Sequence, residues 1–220
     1  MNPSNPVRCG ERRGMNLNRP DAFLWWIDAV GGYLTLTKGR VQIGNAGNRR
    51  NDVAIMGDLS SQHAELLSEA QGTVLIAHAE TTVNDKPGSS FVLKNGDRVR
   101  LRAVELVFHQ PLAWSRTARL EIVSRHRLPL SLDGVVLLGE TCILGRRREA
   151  HIPAPCDGPV CVTWHRDQYW LRGPGDLAID DKVYPGWGPL TGSSRATGSW
   201  GAFRWEPAPA SLLPPRPPVV

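Results

Sequence analysis

No apolar run in this 220-residue chain approaches the ~20 residues that a membrane-crossing helix needs; the stretch Gly134-Val135-Val136-Leu137-Leu138-Gly139 stops far short. Residues Met1 to Gly10 carry no apolar segment behind their few charges, so no export leader is read there and a cytoplasmic location is expected. Cysteine is scarce: Cys9, Cys142, Cys156 and Cys161 are too few for a disulfide-dense scaffold and are expected to be reduced, acting as small hydrophobes. His151, Cys156, Cys161 and His165 lack the close paired spacing of a structural zinc site, so no metal is expected. Methionine is rarer still, with three, and the long Ala/Leu/Glu/Lys periodic segments of helical proteins are absent. Also missing are Gly-x-Ser-x-Gly, a phosphate loop and His-Glu-x-x-His, and Gly173-Pro174-Gly175 has no Lys or Ser/Thr to complete a nucleotide cradle. The chain is therefore read as a non-enzyme without a cofactor. A hydrolase using Ser60 and His63, with Asp58 as orienting acid, is the catalytic alternative.

Lysine is scarce too, with four, which leaves 22 arginines among the 26 basic residues and a net charge of +5. The guanidinium fork suits phosphate or carboxylate, and arginine usage of this kind also suits an Arg-rich genome. A modest basic excess does not separate nucleic acid from an acidic or phosphorylated peptide.

What is present, with 22 glycines and 18 prolines as punctuation, is a series of short β-branched segments: 33–37, 41–43, 53–55, 73–76 and 99–101. Residues 59–69 alternate apolar and polar in the strand manner after a loop. This pattern predicts an all-β chain of sandwich type. An internal repeat runs through it. Val41-Gln42-Ile43-Gly44 returns as Cys142-Ile143-Leu144-Gly145, Asp52-Val53-Ala54-Ile55 as Ala150-His151-Ile152, and Val83-Asn84-Asp85-Lys86 as Ile179-Asp180-Asp181-Lys182. The near-constant offset predicts two tandem β-sandwiches, 22–112 and 117–207. They are flanked by a disordered segment, 1–21, and a Pro-rich disordered tail, 208–220, with mobility expected from Glu206 onward.

Four motifs in the first repeat occur in a family's order: Ile43-Gly44, Asp58-Leu59-Ser60-Ser61-Gln62-His63-Ala64, Thr81-Thr82-Val83-Asn84 and Leu93-Lys94-Asn95-Gly96-Asp97-Arg98-Val99. In these the chain resembles the forkhead-associated (FHA) family of phosphothreonine-reading β-sandwiches, as a bacterial tandem protein with degenerate motifs. The resemblance implies a signalling module that binds another protein, in the family's case one phosphorylated on Thr. It places a phosphopeptide site at Asn45, Arg49, Arg50, Ser60, Ser61 and Thr81 in the first repeat, and at Arg146 and Arg147 in the second. It assigns structural roles to Gly44, His63, Asn84, Gly96, Asp97 and Gly145. Asn45 stands where the family has arginine, Ala79 where it has its peptide-gripping asparagine, and Asp157 to Trp164 have replaced the Ser/His motif of the second repeat. Phosphothreonine binding is thus expected to be weakened or lost. The alternative is a basic scaffold that touches nucleic acid or an acidic surface without sequence preference. Arg98, Arg100 and Arg102 form a stripe, but no aromatic residues interleave with it as on nucleic-acid platforms. Eight tryptophans are expected to fill two small cores, some of them sealing the seam between repeats.

Overall fold

The structure, a computed structural model, describes residues 20–69 and 72–212. Cys9, residues 1–19 of the predicted disordered start and residues 213–220 of the predicted disordered tail lie outside the described residues. The first half of the chain forms β1 (Ala22–Ile27), β2 (Gly31–Leu36), β3 (Arg40–Asn45), β4 (Val53–Ile55), β5 (Ala64–Glu69), β6 (Gly72–Ala77), β7 (Thr81–Val83), β8 (Lys86–Pro87), β9 (Ser90–Leu93), β10 (Arg98–Leu101) and β11 (Val104–His109). The second half forms β12 (Ala118–Ile122), β13 (Gly134–Leu137), β14 (Thr141–Gly145), β15 (Ile152–Pro153), β16 (Val160–His165), β17 (Gln168–Ile179), β18 (Lys182–Leu190), β19 (Ser194–Gly198) and β20 (Gly201–Pro207). No described helix is long and apolar enough to cross a membrane.

The strands form a five-stranded sheet, β4-β3-β5-β6-β9, and a 15-stranded sheet that runs the length of the molecule. In the long sheet the two halves exchange their opening hairpins. β12 lies against β11, with Leu106 opposite Ile122 and Phe108 opposite Leu120. β1 lies against β20 at the other end of the chain, with Trp25 opposite Trp205. The hairpins meet at the centre, where β2 and β13 pair in parallel, from Tyr33 opposite Gly134 to Leu36 opposite Leu137.

These central strands are covered on both faces, and their sequences show why. In β1, Ala22 and Leu24 join the first hydrophobic core while Phe23, Trp25 and Ile27 join the second. Val135 and Leu137 of β13 likewise face the first core and Val136 the second. A strand buried on both sides reads as an apolar run, whereas an outer strand such as β10, buried only at Val99 and Leu101, alternates.

The tryptophans depart from the expectation of two aromatic cores. Trp25 and Trp205 are fully buried in the second core, where Trp205 stacks 4.3 Å from Phe23 and 5.4 Å from Trp25. The first core is aliphatic apart from Phe108; Trp26 only leans on it and donates its indole N–H to Glu206. Trp114 and Trp187 are 83% and 55% exposed and fill neither core, because one sits on the link between β11 and β12 and the other on an outward face of β18. Order also continues past Glu206: β20 runs to Pro207, and Ala208 and Leu212 rest against the first core, their apolar surface holding the start of the tail in place.

Repeated positions do the same backbone work with different chemistry. The Asp52 carboxylate accepts from Gln42 N–H at 2.8 Å, and in the second half His151 Nδ1 accepts from Ile143 N–H at 3.0 Å. His151 is buried, with Nε2 3.3 Å from Ser115 Oγ, so burial pushes its pKa down to about 4. Both halves turn the corner at equivalent hairpins in left-handed conformation, Asn84-Asp85 (φ 49° and 62°) and Asp180-Asp181 (φ 48° and 67°), which these short polar side chains tolerate. The described cysteines are free: Cys142 and Cys156 are buried and Cys161 half-buried, and burial raises the pKa of the Cys142 and Cys156 thiols.

The exchange predicts that residues 22–112 expressed alone, lacking β12 and β13 along β11, show no cooperative transition, while the full chain melts in one step by calorimetry. The neutral imidazole of His151 stabilises the fold fully above the unfolded pKa of about 6.5, and that contribution is lost as the pH falls toward about 4. Urea midpoints should therefore drop between pH 6.5 and 4 in the wild type, by a stability change on the order of 3 kcal/mol. His151→Asn, which keeps an acceptor but does not titrate, should flatten this part of the profile.

Candidate functional site

One end of the first half gathers the loops 46–52, 56–63 and 78–80 with the turn at 102–103. Gly44 closes β3 where a side chain would collide, since a Cβ there would stand 2.5 Å from Ser61 O and 2.6 Å from Asn51 Nδ2. That close approach lets the buried Asn51 amide bond the carbonyls of Asn45 and Ser61 at 3.0 and 2.7 Å and clamp two loops together. His63 is fully buried and ties two more: Nδ1 accepts from Ser60 N–H at 3.3 Å, and Nε2 donates to Glu80 O at 2.9 Å. Arg102 N–H reaches the same Glu80 carbonyl at 3.3 Å, and its guanidinium pairs with Asp58 at 3.2 Å.

Each sequence-predicted residue can be placed on this frame. Asn45 is committed internally: its amide donates to Gly57 O at 2.7 Å, and its side-chain oxygen accepts from Gly47 N–H at 2.7 Å. Arg49 and Arg50 are exposed on the 46–52 loop, and neither side chain has a partner among the described residues. Ser60 is half-buried, and its hydroxyl makes no hydrogen bond among the described residues; Ser61 is exposed beside it. Thr81 is buried and donates its hydroxyl to Ala79 O at 2.9 Å, so it is spent inside the 78–80 loop. Asn84, Gly96 and Asp97 lie at the other end of β10, where Asn84 bonds Asp97 at 2.8 Å and accepts from Arg98 N–H at 3.0 Å, and Gly96 takes φ 88°. Theirs is turn chemistry, apart from the loop end.

The arrangement lends no support to the hydrolase alternative. Both nitrogens of His63 are engaged with backbone groups, and Asp58 pairs with Arg102 rather than with the imidazole.

Sequence reasoning missed two contributors. Arg102 belongs to the turn after β10, not to the outward stripe, because positive φ (51°) swings it out of the strand. The second is the connection between β12 and β13, which reaches the same end from the other half of the chain: Met56 N–H donates to Arg127 O at 2.9 Å, and a Cβ on Gly57 would stand 2.7 Å from His126. No local motif announces the second, which follows from the hairpin exchange.

The equivalent end of the second half is a pocket of about 510 Å³ bordered by Gly145, Arg146, Arg147, Glu149, Cys156 and Asp157. Arg146 donates to Pro155 O at 3.2 Å and stands 3.8 Å from Asp157, so its charge is partly answered by a carboxylate. Arg147 is exposed. The loop that separates β6 from β7 in the first half has no counterpart here: β17 runs on through an irregularity between Arg172 and Asp176, where Gly175 takes φ 67°. Among the described residues no three His, Cys, Asp or Glu side chains converge as a metal would require.

No protein-family model matches the chain, and no curated protein matches it. Among solved structures it is similar to the FHA-2 domain of the Mycobacterium tuberculosis ABC transporter Rv1747, with 28% identity over 41% of this chain and 79% of that one and a TM-score of 0.33. An FHA domain from a structural study of phosphothreonine-dependent FHA domain interactions shows 25% identity over 39% of this chain and 93% of its own, at TM-score 0.30. The FHA domain of Rv0020c shows 23% identity over 39% and 89%, at TM-score 0.29.

The loop frame makes a sharp contrast between two neighbouring residues. His63→Ala removes a buried ring and strands Ser60 N–H, so it should cost about 2–4 kcal/mol in denaturant unfolding. Ser60→Ala removes a hydroxyl with no internal bond and should change stability by less than about 0.5 kcal/mol.

Proposed function

We propose that this chain is a non-catalytic, FHA-type protein-interaction module, two FHA-like units in tandem along the sequence (22–112 and 117–207), each flanked by the other's opening hairpin, with phosphothreonine-peptide binding weakened or lost relative to an intact site. The observation that carries this reading is the state of the first loop end. The Ser60 hydroxyl is open and its loop is braced by His63, while the side chain at position 45 is an amide spent on Gly57 O. A charge-assisted bond to phosphate contributes about 1.5–3 kcal/mol, which an uncharged amide does not supply. The second unit has the converse deficit: Arg146 is present beside Asp157, with no serine or imidazole opposite. The partner is another protein, met at the loop ends in the cytoplasm. A nucleic-acid scaffold is less well supported, since Arg100 is already paired with Asp85 and Glu105 on the stripe.

Phosphorylated and unphosphorylated threonine peptide libraries, titrated against the full chain, test the reading. The wild type should bind the phosphorylated form only weakly, with little signal at micromolar peptide, and Asn45→Arg should strengthen that binding by roughly ten- to two-hundred-fold. Tight phosphate-dependent binding by the wild type, unchanged by Asn45→Arg, would overturn it. A lysate pulldown with and without phosphatase establishes whether a partner protein is retained at all.

A further inference from the structure

We propose that the connection between β12 and β13, contributed by the second half of the chain, forms a cationic wall of the first half's loop end, and that Arg127 on it contacts the phosphate of a phosphorylated peptide. This rests on the interaction-module reading above and assigns the charge that Asn45 lacks to a residue about 80 positions away in sequence. The wall is held by backbone. Met56 and Arg127 form an antiparallel bridge, with Met56 N–H on Arg127 O at 2.9 Å. Directly opposed bridge partners put their side chains on one face, and both residues are exposed. Gly57, next along, takes the Asn45 amide on its carbonyl, so Arg127 stands beside the segment that Asn45 holds. His126, between Arg125 and Arg127, is anchored by Ser124 at 2.9 Å and crowds Gly57, leaving no room for even a methyl group there.

Charge at this end favours an anion. Arg49, Arg50, Arg125 and Arg127 are exposed with no ion-pair partner among the described residues, and Arg102 pairs only with an exposed Asp58. Against these five cations stand the exposed Asp58 and Glu80, Asp133 at the far end of the same connection, where its carboxylate accepts from Gly32 N–H at 2.8 Å, and the buried Asp52, already paired with Lys38. The second half has no such wall. Its end of the long sheet receives the β1–β2 turn instead, a three-residue link, 28–30, whose one charged residue is Asp28. The exchange of hairpins thus gives the loop end with the open serine an arginine-bearing overlay and gives the other end an acidic turn.

The test is isothermal titration of the full chain with phosphothreonine and threonine versions of one peptide library, carried to millimolar peptide. The variants are Arg127→Ala, Arg127→Lys and, as a charge-matched control at the far end of β10, Arg98→Ala. The wild type should prefer the phosphorylated form. Arg127→Ala should reduce that affinity by roughly tenfold with the thermal midpoint held, since the Met56 contact is made by backbone, while Arg127→Lys should restore part of it and Arg98→Ala should stay within about twofold. A phosphate preference that survives Arg127→Ala unchanged, or no phosphate preference in the wild type, overturns this assignment while the module reading stands. That reading falls separately, when the pulldown retains no protein from lysate treated or untreated with phosphatase.

Discussion

The parallel pairing of β2 with β13 is the contact through which the two halves become one sheet. Four successive residue pairs, Tyr33 with Gly134 through Leu36 with Leu137, bring together segments about 100 positions apart. Because each strand there has a core on either side, a side chain pointing one way from β1, β2 or β13 stabilises the first core and its neighbour stabilises the second. Neither core is complete without residues from the other half. Burial of apolar area at ~25 cal/mol per Å² on both faces of the same strands ties the stability of the halves together far more tightly than a surface seam between finished domains would.

On this shared frame the halves have kept geometry and let chemistry diverge. Asp52 and His151 each hold one backbone N–H of the adjoining strand, but the first does so with a carboxylate paired to Lys38 and the second with a buried neutral ring. The same divergence marks the loop ends. The first half has a broken corner between β6 and β7, and the carbonyl of Glu80 in that gap is what His63 and Arg102 both grip. In the second half β17 continues across the corresponding stretch through the irregularity between Arg172 and Asp176, and no corner like that at Glu80 forms. A loop end with a braced serine and unpaired arginines, beside one whose Arg146 and Arg148 face Asp157 and Glu149, makes two surfaces of different charge on one continuous sheet.

Much of this was legible in the sequence because it is local. Alternating apolar residues placed the outer strands, the loop before β5 followed from the change of pattern at Ala64, and the repeat of Asn84-Asp85 as Asp180-Asp181 is matched by two equivalent turns. The bracing role of His63 came from its motif, and the structure supplies the two backbone partners. The aromatic distribution was not legible, since a tryptophan count does not say which of two cores a strand faces. Trp25 and Trp26 are neighbours that point into different surroundings, one fully buried and the other reaching Glu206.

The sequence by itself determined the all-β class, the internal repeat and the residues of the first loop end, because strand period, turn chemistry and motif spacing depend only on near neighbours along the chain. Only the tertiary structure decided which hairpin completes which sheet. Both opening hairpins offer two apolar strands of similar length, so strand pattern alone does not say which one flanks β11, and the pairing with β12 is a matter of packing over the whole molecule. That choice buried both faces of β1 and β13, and it carried Arg127 to Met56, a neighbour that no local pattern could have specified.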